Sequence, residues 1–327
     1  MDRVLSGMRP TGNLHLGNLY GALNNWIKLQ NENYQTFYFV ADLHALTTDF
    51  AHSTHLKEET MNMVIDWFSF GLNPEKSTIF VQSKIEEHAE LFTIFSMITP
   101  VSWLERNPSY KDVVSQIGEK AAGNFGFLGY PVLMTADITM YKARYVPVGF
   151  DQLPHLELAR EIVRRFNYLT KKDVFLEPQA LLSTAPKILG IDGRKMSKSY
   201  GNAIYLSDNE EETRKKIKVM FTDPQRLRKN DAGRPDMCGV FYLHQIFSDK
   251  QKIKEIEGGC KNASIGCVDC KNILIKNINE KLRPYREKRV IWEKRKGDIL
   301  SIFEEGARKA RQESEKTMEE VREAVFG

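Results

Sequence analysis

Short apolar runs and amphipathic stretches alternate along the first two hundred residues. The apolar runs, rich in β-forming residues, predict strands at 36–42, 78–83 and 144–149. The amphipathic stretches predict helices near 16–30, 55–70, 86–98 and 152–167. Strands that alternate with helices indicate an α/β fold with a parallel sheet, whose ligands bind at the carboxyl ends of the strands.

The pattern changes near residue 205, after which almost every segment is typical of a helix. Ser207, Asp208, Asn209 and Glu210 form a predicted capping box at the start of the first helix. A loop is expected at 226–236, and helices are expected at 239–257, 271–285 and 289–325. We therefore predict two domains, 1–204 and 205–327, with the last helix returning to pack on the first domain.

Composition adds few constraints. The chain has 327 residues, 42% of them hydrophobic and 28% charged, which is ordinary for a folded protein. The net charge of +4 is compatible with a polyanionic partner without establishing one. No stretch approaches the roughly 20 apolar residues of a membrane helix, and no signal core follows Met1. These features predict a cytoplasmic protein without membrane association.

A glycine-rich turn from Pro10 to Asn18 follows a short predicted strand and opens a helix. Gly12 and Gly17 allow a close approach of the backbone, and a helix amino terminus attracts phosphate. His15 and Asn18 add polar side chains. A plain helix start is the alternative interpretation of this turn.

A second candidate for phosphate binding is Lys195-Met196-Ser197-Lys198-Ser199, after a glycine-bearing stretch. Two lysines on a mobile loop can neutralise the charge that develops on a departing pyrophosphate. The alternative is a solvated basic loop. Together the two segments resemble the HIGH and KMSKS motifs of class I aminoacyl-tRNA synthetases, which implies catalytic roles for His15, Asn18, Lys195 and Lys198.

The segments 130–138 and 146–152 resemble the tryptophanyl branch of that class, as do 5–7, 41–45 and 282–284. The resemblance covers almost the whole chain. It implies a Rossmann-like catalytic domain and a helical anticodon-binding domain, with ATP, Mg²⁺, L-tryptophan and tRNA(Trp) as ligands and a homodimer as the assembly.

Indole is a large apolar plate with one N–H donor and no acceptor. Met134, Val146 and Val148 can form apolar walls for it, and Asp137 can supply the acceptor on the same helical face as Met134. Ordinary core packing and a surface carboxylate are the alternatives. The resemblance implies that the tyrosyl branch carries glutamine at the position of Met134, so tyrosine is the second candidate substrate.

The resemblance also implies two sets of ligand contacts. Gln152 would orient the amino acid, Tyr130 would lie near its amino group, and Gly149 and Asp151 would contact ribose, although Tyr130 and Gln152 could also be ordinary polar residues. The expected tryptophan contacts are Leu5, Gly7, His44, Tyr130, Met134, Asp137, Ile138, Val146, Val148 and Gln152. The expected ATP contacts are Arg9, Thr11, Gly12, His15, Gly17, Asn18, Gly149, Asp151, Gln152, Ile188, Lys195, Met196, Ser197 and Lys198.

The resemblance implies a glutamine at the position of Arg9, so this residue departs from the family pattern. It can bind ATP phosphate or the substrate carboxylate, or it is a solvated loop charge. The substrate carboxylate is already ionised at neutral pH, so its attack on the α-phosphorus requires no general base. Placement and electrostatic stabilisation are therefore expected to carry the catalysis.

All four cysteines lie in the helical half, at Cys238, Cys260, Cys267 and Cys270, with the spacing C-x21-C-x6-C-x2-C. In a reducing compartment this pattern favours a metal over disulfides. The spacing resembles a bacterial subset of the tryptophanyl branch that carries a [4Fe–4S] cluster. Zinc and four separate structural cysteines are the alternatives.

Two further interpretations remain open. A catalytically silent, RNA-binding relative of the synthetases would not need intact phosphate-handling lysines. A nucleotidyltransferase with a similar glycine-rich turn would not need the helical half.

Overall fold

A computed structural model describes residues 1–108, 110–111, 124–182, 186 and 188–327. Its centre is a five-stranded sheet in the order β3-β2-β1-β4-β5, and every strand pair is parallel. The strands are β1 (Asp2–Met8), β2 (Tyr34–Val40), β3 (Ser77–Val81), β4 (Tyr145–Val148) and β5 (Gln179–Leu182). The predicted α/β fold with a helical carboxyl-terminal region is confirmed.

Helices cover both faces of the sheet and make up the carboxyl-terminal third. They are α1 (Leu16–Asn18), α2 (Asn24–Leu29), α3 (Asp42–Asp49), α4 (Leu56–Phe70), α5 (Glu87–Ile98), α6 (Val101–Glu105), α7 (Phe125–Met140), α8 (Leu153–Thr170), α9 (Glu210–Lys218), α10 (Gly239–Phe247), α11 (Lys250–Lys261), α12 (Cys267–Glu293) and α13 (Lys296–Phe326). A π-helical turn, Leu19–Leu23, joins α1 to α2. None of these described helices is long and apolar enough to cross a membrane.

The boundaries in the helical half differ from the prediction in several places. The capping box is formed by Asn209 and Glu212 rather than by Ser207, so α9 begins later than expected. The segment 239–257 is two helices, because the side chain of Asp249 caps a new helix by accepting from the backbone N–H of Lys252. Helix α12 runs from Cys267 through Pro284 to Glu293, although 271–285 was expected, and α13 begins at Lys296 rather than near 289.

The sheet is buried on both faces, as strand β2 shows. Tyr38 and Val40 belong to one apolar cluster, and Phe37 and Phe39 belong to a second cluster on the opposite face. This alternation follows from the two-residue period of side chains in a strand. Helices therefore pack on both faces of the sheet, as is usual for parallel sheets.

The two long carboxyl-terminal helices pack on the half that contains the sheet. Helix α12 lies along α4, where Phe70 stacks on Tyr285 with ring centroids 4.1 Å apart. Helix α13 lies against β3, the strand at the edge of the sheet. A Cβ atom on Gly306 of α13 would lie 1.8 Å from the backbone oxygen of Ile79, so glycine permits this close approach. The last helix therefore lies on the half that contains the sheet.

Candidate active site

A cavity of about 800 Å³ opens at the carboxyl ends of β1 and β4. The order of the sheet reverses between these two strands, which is where open α/β sheets bind ligands. Thirteen of the expected contact residues line it: Leu5, Gly7, Arg9, His44, Tyr130, Met134, Asp137, Ile138, Val146, Val148, Gly149, Asp151 and Gln152. The fold thus brings together every expected tryptophan contact and part of the ATP set.

Asp137 lies at the bottom of this cavity and is only 1% exposed. Its Oδ1 atom is 2.7 Å from Nε2 of Gln82 and 2.6 Å from Nδ1 of His88, and its Oδ2 atom is 2.7 Å from Nε2 of His44. Burial raises the pKa of Asp137, but hydrogen bonds from His44 and His88 outweigh it and lower the pKa to about 2. The carboxylate is therefore ionised and only accepts hydrogen bonds.

The other predicted contacts form the walls and the rim of the cavity. Val146 and Val148 are buried in β4, while Met134 is partly buried on α7, one turn from Asp137. The Tyr130 hydroxyl is 2.9 Å from Nε2 of His155, and burial raises the pKa of Tyr130 to about 12. An apolar slot with a single buried carboxylate therefore lies below a polar rim.

At this rim, Gln152 donates to the Asp151 carboxylate at 3.1 Å. Nη1 of Arg9 lies 3.4 Å from the Thr48 hydroxyl. Gly149 has little room for a side chain, because a Cβ atom there would lie 2.6 Å from Oδ1 of Asp151. Arg9 and Asp151 thus place one positive and one negative charge on the same rim.

The glycine-rich turn adjoins the cavity without lining it. The His15 backbone N–H donates to the Asn18 side chain at 3.0 Å, which caps α1. Nδ1 of His15 is buried and has no hydrogen-bond partner among the described residues. Burial and the nearby charge of Lys195 lower the pKa of His15 to about 4, so its imidazole is neutral at neutral pH. Gly17 lies beside this ring, since a Cβ atom there would be 2.8 Å from it.

The lysine-bearing segment is held against that turn. Met196 and Ile188 are each 3% exposed and lie in the core, and the backbone N–H of Met196 donates to the Ile188 oxygen at 2.8 Å. The buried Asn202 accepts from the Ser197 backbone N–H at 2.8 Å and donates to the Lys195 oxygen at 3.2 Å. The sequence predicted neither the core position of Met196 and Ile188 nor the anchor at Asn202.

All four cysteines line one small cavity together with Arg226. Nη1 of Arg226 is 3.6 Å from Sγ of Cys260, and the Nε atom is buried without a partner among the described residues. Burial and the other three thiols raise the pKa of Cys270 to about 12. Within the described part of the chain, no three His, Cys, Asp or Glu side chains form a group that could hold a metal ion. The fold brings the four cysteines to one cavity, but the described side chains are not arranged to coordinate a metal ion.

Comparison with known proteins gives a consistent result. The family described as tRNA synthetases class I (W and Y) matches residues 2–283. Tryptophan–tRNA ligase of Thermotoga maritima is 53% identical over 99% of this chain and 98% of its own, and that of Aquifex aeolicus is 46% identical over 99% of both. The crystal structure of tryptophanyl-tRNA synthetase from Campylobacter jejuni, complexed with ADP and tryptophan, superposes with a TM-score of 0.89 at 33% identity and 99% coverage of both chains.

Proposed function

The chain belongs to the class I tryptophanyl-tRNA synthetases, and from this premise we propose which of its residues carry the two reactions. It activates L-tryptophan with ATP to give tryptophanyl adenylate and pyrophosphate. It then transfers tryptophan to the 3′-terminal adenosine of tRNA(Trp). Tyrosine and a silent RNA-binding role are not favoured.

The observation that supports this specificity is the ionised carboxylate of Asp137 at the bottom of an apolar slot. Indole offers one N–H donor and requires apolar surroundings elsewhere, which Leu5, Met134, Val146 and Val148 provide. A site with a buried acceptor discriminates strongly against analogues that leave the acceptor unpaired. Asp137 is therefore the proposed indole acceptor.

The remaining proposed contacts divide by position. All four of these residues line the cavity; Gln152 and Tyr130 are proposed to orient the amino acid, and Gly149 and Asp151 are proposed to contact ribose. Arg9 is the cavity-lining cation that can meet the substrate carboxylate or an ATP phosphate. The triphosphate then extends toward Thr11, Gly12, His15, Gly17, Asn18 and the segment 195–198.

The tryptophan carboxylate attacks the α-phosphorus of ATP, and the bond to the pyrophosphate oxygen breaks. Because no proton leaves the nucleophile, the chain's contribution is alignment and charge stabilisation. Lys195 and Lys198 stabilise the departing pyrophosphate. The neutral imidazole of His15 and the amide of Asn18 hold phosphate oxygens. Mg²⁺, which arrives bound to the ATP phosphates, supplies further positive charge there.

We also propose that Cys238, Cys260, Cys267 and Cys270 hold a [4Fe–4S] cluster, with zinc as the alternative. Two features support an anionic group in that cavity: four convergent thiols, and the buried Nε–H of Arg226, which lacks a partner among the described residues. Gly233 also leaves room there for Cys260, whose sulfur would lie 2.5 Å from a Cβ atom on Gly233. The cluster would shape the RNA-binding surface of the helical domain.

The proposed catalytic domain is 1–204 and the proposed anticodon-binding domain is 205–327. A homodimer in the cytoplasm is the proposed working state. Analytical ultracentrifugation of the full chain tests the dimer.

Exchange of pyrophosphate into ATP tests the activation step directly. We expect exchange that depends on L-tryptophan, with L-tyrosine at least about a thousandfold poorer in kcat/KM. Charging of tRNA(Trp) with labelled tryptophan tests the second step. Exchange without charging would contradict the complete reaction, and exchange driven equally by tyrosine would contradict the assigned substrate.

A further inference from the structure

A second layer of polar side chains lies behind Asp137. The described wall of the cavity includes His44 but neither Gln82 nor His88, although all three donate to the Asp137 carboxylate. Gln82 and His88 are both 0% exposed. Burying three polar side chains in one place is costly unless each is paired. This layer therefore requires an explanation beyond packing.

The hydrogen-bond chain continues beyond His88 to Tyr141, whose hydroxyl lies 2.8 Å from Nε2 of His88. Because ionised Asp137 can only accept, Nδ1 of His88 carries a proton and donates to Oδ1. Burial and the charge of Asp137 raise the pKa of Tyr141 well above its usual value, so this hydroxyl keeps its proton. Tyr141 can then donate to Nε2, which fixes the tautomer of His88.

Aromatic rings hold this chain in one orientation. Tyr141 stacks on Phe37 with centroids 5.0 Å apart, and the His88 ring lies 6.2 Å from that of Phe39 and 6.3 Å from that of Phe80. The imidazole therefore lies between apolar rings with one polar partner on each nitrogen. Rotation of the ring would remove one of the two donors to Oδ1 of Asp137 in a dry environment.

The two carboxylate oxygens consequently have different tasks. Among the described residues, Gln82 and His88 both bind Oδ1, whereas Oδ2 is bound by His44 alone, a residue of the cavity wall. An ionised carboxylate has about four acceptor positions, so the described residues leave one unfilled, on Oδ2, the oxygen bound by the cavity-lining His44.

We infer that His88 is a positioning residue for tryptophan, which saturates Oδ1 of Asp137 together with Gln82 and thereby presents Oδ2 to the indole N–H. Tyr141 supports it by fixing the imidazole. The inference rests on the proposed role of Asp137 as the indole acceptor. It predicts that substrate discrimination, rather than overall activity, depends on a residue that does not touch the substrate.

The test compares L-tryptophan with β-(3-benzothienyl)-L-alanine, in which sulfur replaces the indole N–H in a ring system of similar shape. Pyrophosphate exchange gives kcat/KM for each, and their ratio measures the contribution of the N–H contact. In His88→Leu we expect the ratio to fall at least about tenfold, through a higher KM for tryptophan. His88→Asn retains a donor near the position of Nδ1 and should recover part of the ratio.

Tyr141→Phe is the milder variant, because it keeps the apolar ring and removes only the hydroxyl that binds Nε2. We expect a smaller fall in the ratio, about two- to fivefold, and this variant carries the test if His88→Leu does not fold. Equal losses for the two substrates in Tyr141→Phe and His88→Asn, with the wild-type ratio kept, would overturn the inference.

Asp137→Asn separates this inference from the function on which it rests. It should abolish most of the preference for tryptophan, because its amide turns a donor toward other donors. If the wild type and Asp137→Asn showed the same ratio, the acceptor role would be wrong, and the inference would fall with it. A reduced ratio in Asp137→Asn with an unchanged ratio in the His88 and Tyr141 variants would overturn the inference alone.

Discussion

The side-chain nitrogen of Lys198 donates a 2.5 Å hydrogen bond to the backbone oxygen of Thr11, and so joins the two segments that are proposed to bind phosphate. The same nitrogen lies 3.6 Å from the Glu59 carboxylate. The two partners are a neutral carbonyl and a partly exposed carboxylate, which are weak competitors for a triphosphate. The phosphates of ATP can therefore replace these two partners of Lys198 at a small cost in free energy.

Gly12→Ala tests the contact between these segments. Gly12 has a φ of +90°, and a Cβ atom there would lie 2.2 Å from Nζ of Lys198. We expect adenylate formation to slow by about ten- to a hundredfold, since the added methyl group displaces Lys198 and strains the turn. Single-turnover pyrophosphate release measures it.

The matched control is Gly71→Ala, at the carboxyl end of α4. Gly71 also has a positive φ, +110°, but a Cβ atom there would have no neighbour within 4 Å. It should lose about 1 kcal/mol of stability from strain while adenylate formation stays near the wild-type rate. Similar rates in Gly12→Ala and wild type would show that the Lys198 position does not limit activation.

Lys195→Ala should slow adenylate formation far more than it weakens tryptophan binding. The charge of Lys195 lies close enough to His15 to lower its pKa, and it becomes most valuable as negative charge accumulates on pyrophosphate. Stopped-flow fluorescence gives the tryptophan affinity, and rapid quench gives the chemical rate. Equal losses in both would assign Lys195 to ground-state positioning.

The sequence grouped residues that line one cavity because those residues belong to a few short segments of the chain. Val146, Val148 and Asp137 were expected together, and β4 and α7 bring them together. Gln82 and His88 could not be predicted, because an isolated histidine on an apolar face is ordinary and their partner lies 55 and 49 residues away. Asn202 could not be predicted either, because its hydrogen bonds to Ser197 and Lys195 depend on the geometry of the loop.

In the carboxyl-terminal half, the sequence predicted helical secondary structure correctly but predicted the ends of the helices less well. A helix end near 285 was expected, but Leu282 is buried before Pro284, and after it Phe70 stacks on Tyr285 and Asp66 pairs with Arg289. Contacts on both sides of the proline therefore hold α12 in one piece. Tertiary contacts can outweigh the loss of one backbone hydrogen bond at a proline.

The cysteine proposal predicts a colour. Anaerobically purified protein should be brown, absorb near 400 nm as such clusters do and contain about four irons per chain, whereas zinc would give a colourless protein with about one metal ion. Cys267→Ser should lose the metal and weaken tRNA charging, yet retain tryptophan-dependent pyrophosphate exchange. Metal-free wild-type protein with normal charging would contradict the proposal.

Arg226→Leu sharpens that experiment, because its Nε–H is the buried donor that an anionic group would satisfy. We expect a lower metal content after exposure to a chelator than in the wild type. Arg228→Leu, an exposed position in the same loop, is the matched control and should keep the metal. Equal metal retention in both variants would show that Arg226 does not help to hold the metal.

Acid should destabilise the protein through His15 and His155. Burial and the Lys195 charge lower the pKa of His15 to about 4, and burial lowers that of His155 to about 4 as well. Their contribution is complete above the unfolded pKa of about 6.5 and is lost as the pH falls toward 4, since the unfolded chain binds more protons.

Calorimetry between pH 7.5 and 4.5 measures this loss as a falling Tm. Asp66 acts in the opposite sense, because burial raises its pKa to about 6 and favours the folded state at lower pH. His155→Gln isolates the histidine contribution, and its Tm should fall less steeply with pH than that of the wild type. An unchanged slope would show that His155 does not titrate below its usual range.

The attachment of α13 to the sheet should depend on a single glycine. At Gly306 a Cβ atom would lie 1.8 Å from the Ile79 oxygen and 2.7 Å from its carbonyl carbon, both in the backbone of β3, which cannot rotate away. Gly306→Ala should therefore displace the helix and cost about 2–4 kcal/mol in the free energy of unfolding, measured in urea.

Gly297→Ala is the matched control, because it lies in the same helix with no atom within 4 Å of an added Cβ. There the better helix propensity of alanine should leave stability unchanged or raise it by up to about 1 kcal/mol. The helix also carries Glu313, which pairs with Arg3 of β1 at 2.5 Å, so displacement of the helix reaches a strand that lines the proposed tryptophan cavity. We expect Gly306→Ala to raise the KM for tryptophan as well, and equal stabilities of the two alanine variants would show that α13 is not fixed to β3 at this point.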